Sequence, residues 1–187
     1  MKILELHPLD AVDHLVWPDD HIELTLESPA RSVFTDFHRS EPLVINADMA
    51  ASEAARLLGQ SHAGMHLVLD GHGDFVGLVG RAELSERNRI LRVAGGESLD
   101  ALTVRDQMIP RHRIRAMDLE ALEDAKVADV VETLRFHGDR HCLVVRQSDH
   151  HICGIIAASD IARRLHMRID VDGPPTFAQI YSALRDH

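Results

Sequence analysis

The side chains best equipped to hold a charged ligand gather in the second half of the chain. Arg111, His112, Arg113 and Arg115 follow Pro110, and Arg140 with His141 opens an apolar run, Cys142 to Val145, that reads as a strand. An arginine can grip a phosphate through two parallel N–H donors, so either cluster has the chemistry of an anion site, although a charge run is also an ordinary solvated turn. Asp160 stands where a helix should begin. There its carboxylate, or the Ser159 hydroxyl, can cap free backbone N–H groups, and the same helix start favours a nearby anion. Fourteen histidines, with His137, His141, His150 and His151 crowded together, raise the question of a metal. No HExxH or CxxC spacing accompanies them, and neighbours such as His150 and His151 would point to opposite faces of a strand, so no metal site is expected. A pH response is their alternative use. Cys142 and Cys153 are expected to be free, buried thiols. Without a Ser-His-Asp set, a Walker loop or a dinucleotide fingerprint, no catalytic residue is assigned and enzymatic activity is not expected.

The elements that must position these groups occur twice. Residues 51–70 align with 127–146 without a gap, and GLVGRAEL (77–84) aligns with GIIAASDI (154–161) after one inserted residue in a predicted hairpin loop. An insertion at a loop tip disturbs few buried backbone bonds, which is the mark of a true duplication. Ala51, Ala54, Ala55 and Leu58 trace one helical face, and Val127, Val130, Val131 and Leu134 repeat it. Hairpins follow, from His66–Leu69 into Phe75–Val79 and from Cys142–Val145 into Ile152–Ile156. Helical spacing then returns over 83–91 and 160–165. Strands with so few polar interruptions are covered on both faces, by the first helix of the copy on one side and by the other copy on the opposite side. Gly95-Gly96 separates the copies, and the linker 97–116 reads as a short helix stopped at Pro110.

Composition bounds the partners. The chain has 187 residues, 45 % hydrophobic, and a net charge of −10, enough apolar content for a core and the wrong sign for nucleic acid or an anionic membrane surface. No apolar run reaches the ~18 residues of a membrane span, and the start MKILELHPLDAVDHL carries Glu5 and Asp10 where a signal peptide would be apolar, so a cytoplasmic location is expected. Residues 1–31 form an acidic extension containing the single tryptophan, Trp17. The end, PPTFAQIYSALRDH, places Phe177, Ile180, Tyr181 and Leu184 on one face of a docked helix.

This pattern resembles a tandem of cystathionine-β-synthase (CBS) domains, a Bateman module, over about residues 32–167. The carriers are Val104-Arg105-Asp106-Gln107-Met108-Ile109-Pro110, similar to V-x-D-x-M-T-P, with Ser32-Val33-Phe34-Thr35-Asp36 as a weaker counterpart. Gly154-Ile155-Ile156 followed by Asp160 is similar to G-h-h-[ST]-x-x-D. The resemblance implies an α/β (α+β) fold: two βαββα repeats, 32–96 and 97–170 with its linker, sheets packed together, flanked by the extension 1–31 and a C-terminal helix in 171–187. It also implies a regulatory module holding an adenosine compound (AMP, ADP, ATP or S-adenosylmethionine) between the repeats, with no required cofactor. A homodimer is implied, and output is expected through self-association or an unidentified protein in trans. The implied nucleotide site comprises Asp160 on the ribose hydroxyls with Ser159, Ala157, Arg140, His141, Cys142, Ile109, Pro110 and Arg111. A weaker second site comprises Glu83, Arg81 and Gly80. The family's hydroxyl three residues after the glycine is absent, Ala157 and Gly80 standing there, and Glu83 replaces the aspartate in the first copy. The alternative is a ligand-free oligomerisation scaffold with degenerate pockets.

Overall fold

A computed structural model describes residues 24–60, 64–86, 88, 90, 101–136, 139–167 and 175–185. In chain order the strands and helices are β1 (Phe34–Asp36), β2 (Val44–Asn46), α1 (Ala51–Gln60), β3 (Met65–Leu69), β4 (Phe75–Gly80), α2 (Val104–Gln107), β5 (Ile109–Pro110), β6 (Ala116–Asp118), α3 (Val127–Leu134), β7 (His141–Arg146), β8 (His151–Ala157), α4 (Ala158–Arg164) and α5 (Phe177–Arg185). The periodicities hold: Ala51, Ala54 and Leu58 are the buried face of α1, and Val127, Val130, Val131 and Leu134 that of α3. The first turn of α3 is fixed by Asp129, whose carboxylate accepts the Lys126 backbone N–H at 2.8 Å. Thr103 and Asp106 do the same for α2, with the Thr103 N–H and hydroxyl both donating to Asp106 Oδ2 at 2.8 and 2.7 Å.

The strands form two four-stranded sheets, ordered β2-β3-β4-β5 and β1-β8-β7-β6. One face of each carries its own apolar core. Val68 and Val79 pack with α1, while Cys142, Val144 and Ile156 pack with α3. On the opposite strand faces Leu78 and Leu143 are also buried but belong to neither cluster. The outer helix α5 lies on α3 and α4, with Phe177 and Ile180 fully buried in the second repeat's core.

The edge strands are exchanged between the copies, which periodicity did not indicate. β1, ahead of the first repeat, pairs antiparallel with β8 of the second; β5, ahead of the second repeat, pairs antiparallel with β4 of the first. Both crossings lie over a glycine, at equivalent positions of the duplication. A Cβ at Gly154 would stand 2.2 Å from the Thr35 carbonyl and from the Phe34 ring, and one at Gly77 would stand 2.5 Å from the Ile109 carbonyl. No L side chain fits between backbones this close.

Four local expectations need correction. The linker helix ends at Gln107, before Met108, and Pro110 lies in an edge strand, where its missing N–H costs nothing. The helix expected over 83–91 begins later: residues 81–84 form a turn and helical backbone starts at Glu86, with residue 91 outside the described set. Ser159 and Asp160 do not cap α4. Strand β8 runs straight into the helix, so Ala157 is the N-cap without a side-chain bond, and Ser159 and Asp160 fall inside the first turn. His150 is in a turn with φ 59° and is not paired with His151 in a strand. Of the acidic extension, residues 1–23 lie outside the described set. Leu24 and Ala30 are buried against α3 of the same chain, held by backbone bonds from Val127 to Ser28 and from Ala128 to Leu26.

The crossings predict an asymmetry among glycine substitutions. Gly154→Ala should destabilise by about 3 kcal/mol or more, because the opposing carbonyl belongs to a paired strand and cannot yield. Gly59→Ala, with nothing within 4 Å, should be neutral or stabilising by up to about 1 kcal/mol in the helix α1. Urea denaturation of the two variants checks this.

Candidate functional site

Strand exchange produces two cavities, each combining the residues ahead of one repeat with the end of the other repeat's hairpin or helix. The first, of about 560 Å³, is walled by Leu78, Met108, Ile109 and Ile114, with Glu83, Asn88, Gln107, Arg113, Asp139, Arg140 and His141 supplying polar groups. The second, of about 670 Å³, lies between residues 28–40 and α4, and contains Arg31, Arg39, Arg163, Arg164, Asp36 and Asp160.

The residues expected in one nucleotide site are therefore divided. Ile109, Arg140 and His141 line the first cavity, together with Glu83 from the expected weaker site. Asp160 lines the second. Ala157 is the junction of β8 and α4, paired across the sheet with His141, and Ser159 is half-buried in the first turn of α4. Cys142 is buried in the core on the α3 side, where desolvation pushes its thiol up to about 12. Pro110 pairs with Gly77 and Arg111 is exposed; neither lines either of these two cavities. Arg113, two residues on from Arg111, does. Arg81 donates from Nε to the Leu58 carbonyl at 3.2 Å, at the C-terminal end of α1. Gly80 donates its N–H to Glu83 Oε2 at 3.0 Å, so one oxygen of that carboxylate holds the turn.

In the second cavity Asp160 is about half exposed, with Arg163 Nη2 3.6 Å from Oδ1. Arg164 donates to the Ser32 carbonyl and thereby ties α4 to the exchanged segment. Arg31 is paired with Glu123 at 2.9 Å. With Arg31 offset by Glu123, three arginines against two aspartates still leave this cavity a positive balance in a chain whose net charge is −10. Arg163 and Arg164 follow Asp160 by three and four residues, a helical spacing readable in the sequence. Arg31 and Arg39 join only through the β1–β8 pairing, which has no local signal.

In the first cavity the buried polar atoms lack partners: both ends of the Gln107 amide and Nδ1 of His141 make no hydrogen bond. Burial, followed by the charge of Arg140, holds His141 down to about 4. Among the described residues no group of three or more His, Cys, Asp or Glu is placed to hold a metal, and no helix is long and apolar enough to cross a membrane.

Because the folded protein keeps His141 neutral while the unfolded chain takes up a proton below about pH 6.5, stability should fall as pH drops from about 6.5 to 4. The loss from this ring is roughly 2 to 3 kcal/mol by pH 4. His141→Gln should remove that part of the decline, read as the difference in urea midpoint between pH 7 and pH 4.5; an unchanged decline would contradict it.

Comparison with known proteins agrees with this architecture. The CBS domain family model matches residues 34–88 and 120–167. No curated protein matches the chain. Among solved structures, a conserved protein from Pyrococcus horikoshii is similar at 18 % identity and TM-score 0.54, covering 80 % of this chain and 100 % of that one. A CBS domain protein of unknown function from Thermoplasma acidophilum is similar at 21 % identity and TM-score 0.51, covering 81 % and 77 %. The structure of CBSX2 in complex with AMP is similar at 19 % identity and TM-score 0.50, covering 73 % and 94 %.

Proposed function

From the premise that this chain belongs to the CBS domain family, whose modules bind regulatory ligands, we propose that it senses an adenosine-containing nucleotide in its second cavity. The observation that carries this reading is the meeting of Asp160 with four arginines in one cleft. An ionised carboxylate only accepts hydrogen bonds, so Asp160 can take both ribose hydroxyls side by side. Arg39, Arg163, Arg164 and Arg31 surround the space a phosphate chain would fill, and guanidinium forks match phosphate oxygens. AMP bound to CBSX2, a structural neighbour, supports the choice of an adenine nucleotide. A volume of about 670 Å³ is ample for one, and favours a sensor over a scaffold with filled pockets. AMP, ADP and ATP fit the arginine-rich lining better than S-adenosylmethionine, which is cationic at sulfur.

In this reading the protein works in the cytoplasm as a regulator and carries no reaction of its own. Its output passes through a homodimer or a partner protein in trans. Leu57, Ile90 and Phe136, exposed at 37 %, 58 % and 76 %, offer apolar surface for such contacts.

Calorimetric titration of the full chain with ATP tests the proposal. Asp160→Ala should weaken binding at least about tenfold, the loss of one to two charge-assisted hydrogen bonds. Arg163→Ala should weaken ATP more than adenosine, and Glu83→Ala should leave ATP affinity unchanged. ATP binding that is indifferent to Asp160 and Arg163 would refute this site.

A further inference from the structure

A third cavity, of about 320 Å³, lies where the C-terminal end of α3 meets α5, and it shares no residue with the two larger clefts. Arginines and aromatic rings alternate along it. The Arg135 guanidinium is 4.1 Å from the Phe136 ring centroid and 4.6 Å from that of Tyr181, and Arg185 is 5.9 Å from the Tyr181 centroid. Arg135 also donates from Nη1 to the Tyr181 hydroxyl at 2.6 Å and pairs with Glu132, so its charge is answered locally. No carboxylate among the described residues pairs with Arg185. Phe136 is 76 % exposed, the most of any large hydrophobic described. A lone exposed apolar side chain needs no explanation, but this ring is stacked on a cation and leads into a cavity with a second aromatic and an unpaired guanidinium. The surface is suited to an aromatic group that carries acid beside it.

The sequence holds such a group a short way along the same chain. Residues 1–23 contain six Asp or Glu against one Lys, and Trp17, the single tryptophan, is followed by Asp19 and Asp20. Indole is the strongest cation–π partner among side chains, and a carboxylate matches the guanidinium fork. The reach is sufficient. Ala128 donates its N–H to the Leu26 carbonyl, which fixes Leu26 beside the first turn of α3. Arg135 is then seven residues, about 10 Å, along the helix, with a further helix diameter of about 10 Å to cross, whereas the nine residues from Leu26 back to Trp17 can span about 30 Å. The second cavity also attracts acid, and Leu24 lines it, but none of the exposed large hydrophobics does, so an indole there would cover nothing left in water.

We propose that the third cavity is the docking site of the chain's own acidic extension, with Trp17 covering Phe136 and Tyr181 and with Asp19 and Asp20 answering Arg185. The extension is thereby a strap over the α3–α5 face, and partner contacts fall to Leu57 and Ile90 on the first repeat. The inference stands on this cavity alone and does not depend on nucleotide binding.

Trp17 is itself the probe, because all tryptophan emission of the full chain comes from it. Its emission maximum should lie to the blue of that in the urea-unfolded chain, and acrylamide should quench it less. Phe136→Ser and Arg185→Glu, both on exposed surface, should keep the urea midpoint of the rest of the fold while shifting emission and quenching to the unfolded values. Asp19→Lys combined with Asp20→Lys should do the same, and adding Arg185→Glu to that pair should restore the shielded emission. Raising salt from about 0.1 M to 1 M should increase quenching in the native protein only, since the ion pairs are screened. Trp17 emission already at the unfolded value in the native chain, or shielding that is indifferent to Phe136 and Arg185, would overturn the proposal. Shielding lost in Arg163→Ala instead would overturn it in favour of the second cavity, and shielding lost on dilution would overturn it in favour of an extension donated by a second copy.

Discussion

Two backbone crossings, one over Gly154 and one over Gly77, hold the repeats in a common frame. At each, a carbonyl of the incoming segment lies where a Cβ would otherwise be, within 2.2 Å at Gly154 and 2.5 Å at Gly77. The crossings complete the sheets, since β1 and β5 are the outer strands that close β8 and β4. They also make the cavities. Residues 28–40 reach Asp160 only because β1 is paired with β8, and Gln107 to Ile109 reach Glu83 only because β5 is paired with β4. Local sequence segments thus become a site through pairing between distant parts of the chain.

The duplication repeats this geometry and changes its chemistry. Asp160 at the end of the second repeat corresponds to Glu83 in the first, whose longer side chain folds back to its own turn. Arg140-His141 at the start of β7 corresponds to Gly64-Met65 at the start of β3. Positive charge therefore collects in the cavity with the aspartate, and unpartnered neutral polar groups collect in the other. The outer faces differ as well: α5 covers α3 and α4, whereas Leu57 on α1 stays exposed at 37 %.

Much of the fold was legible in the sequence. Regular burial leaves a regular pattern, so the faces of α1, α3 and α5 and the two hairpins followed from periodicity. The hairpin glycines Gly77 and Gly154 were legible as equivalent positions of the duplication, but the strands that cross over them were not. Strands of three and two residues, β1 and β5, have no period to read, and their pairing partners lie far away in the chain. The site suffered from the same gap. Asp160 was identifiable by its place after Gly154, and Arg163 and Arg164 by helical spacing from it, but Arg31 and Arg39 arrive through the exchange alone. Arg113 rather than Arg111 reaches a cavity because residues 111–113 form a 3-10 turn, in which successive side chains are spread by about 120°. Gln107 carried no signal, since a lost hydrogen-bond partner is a property of the folded surroundings.

The central claim is that strand exchange builds a nucleotide cleft from the first repeat's leading residues and the second repeat's last helix. A crystal structure of the full chain grown with ATP tests it most directly. The account predicts ribose oxygens within hydrogen-bonding distance of the Asp160 carboxylate and phosphates among Arg39, Arg163 and Arg164. A nucleotide bound instead with its phosphates beside Arg113 and Arg140, and the second cavity filled only by solvent, would contradict it.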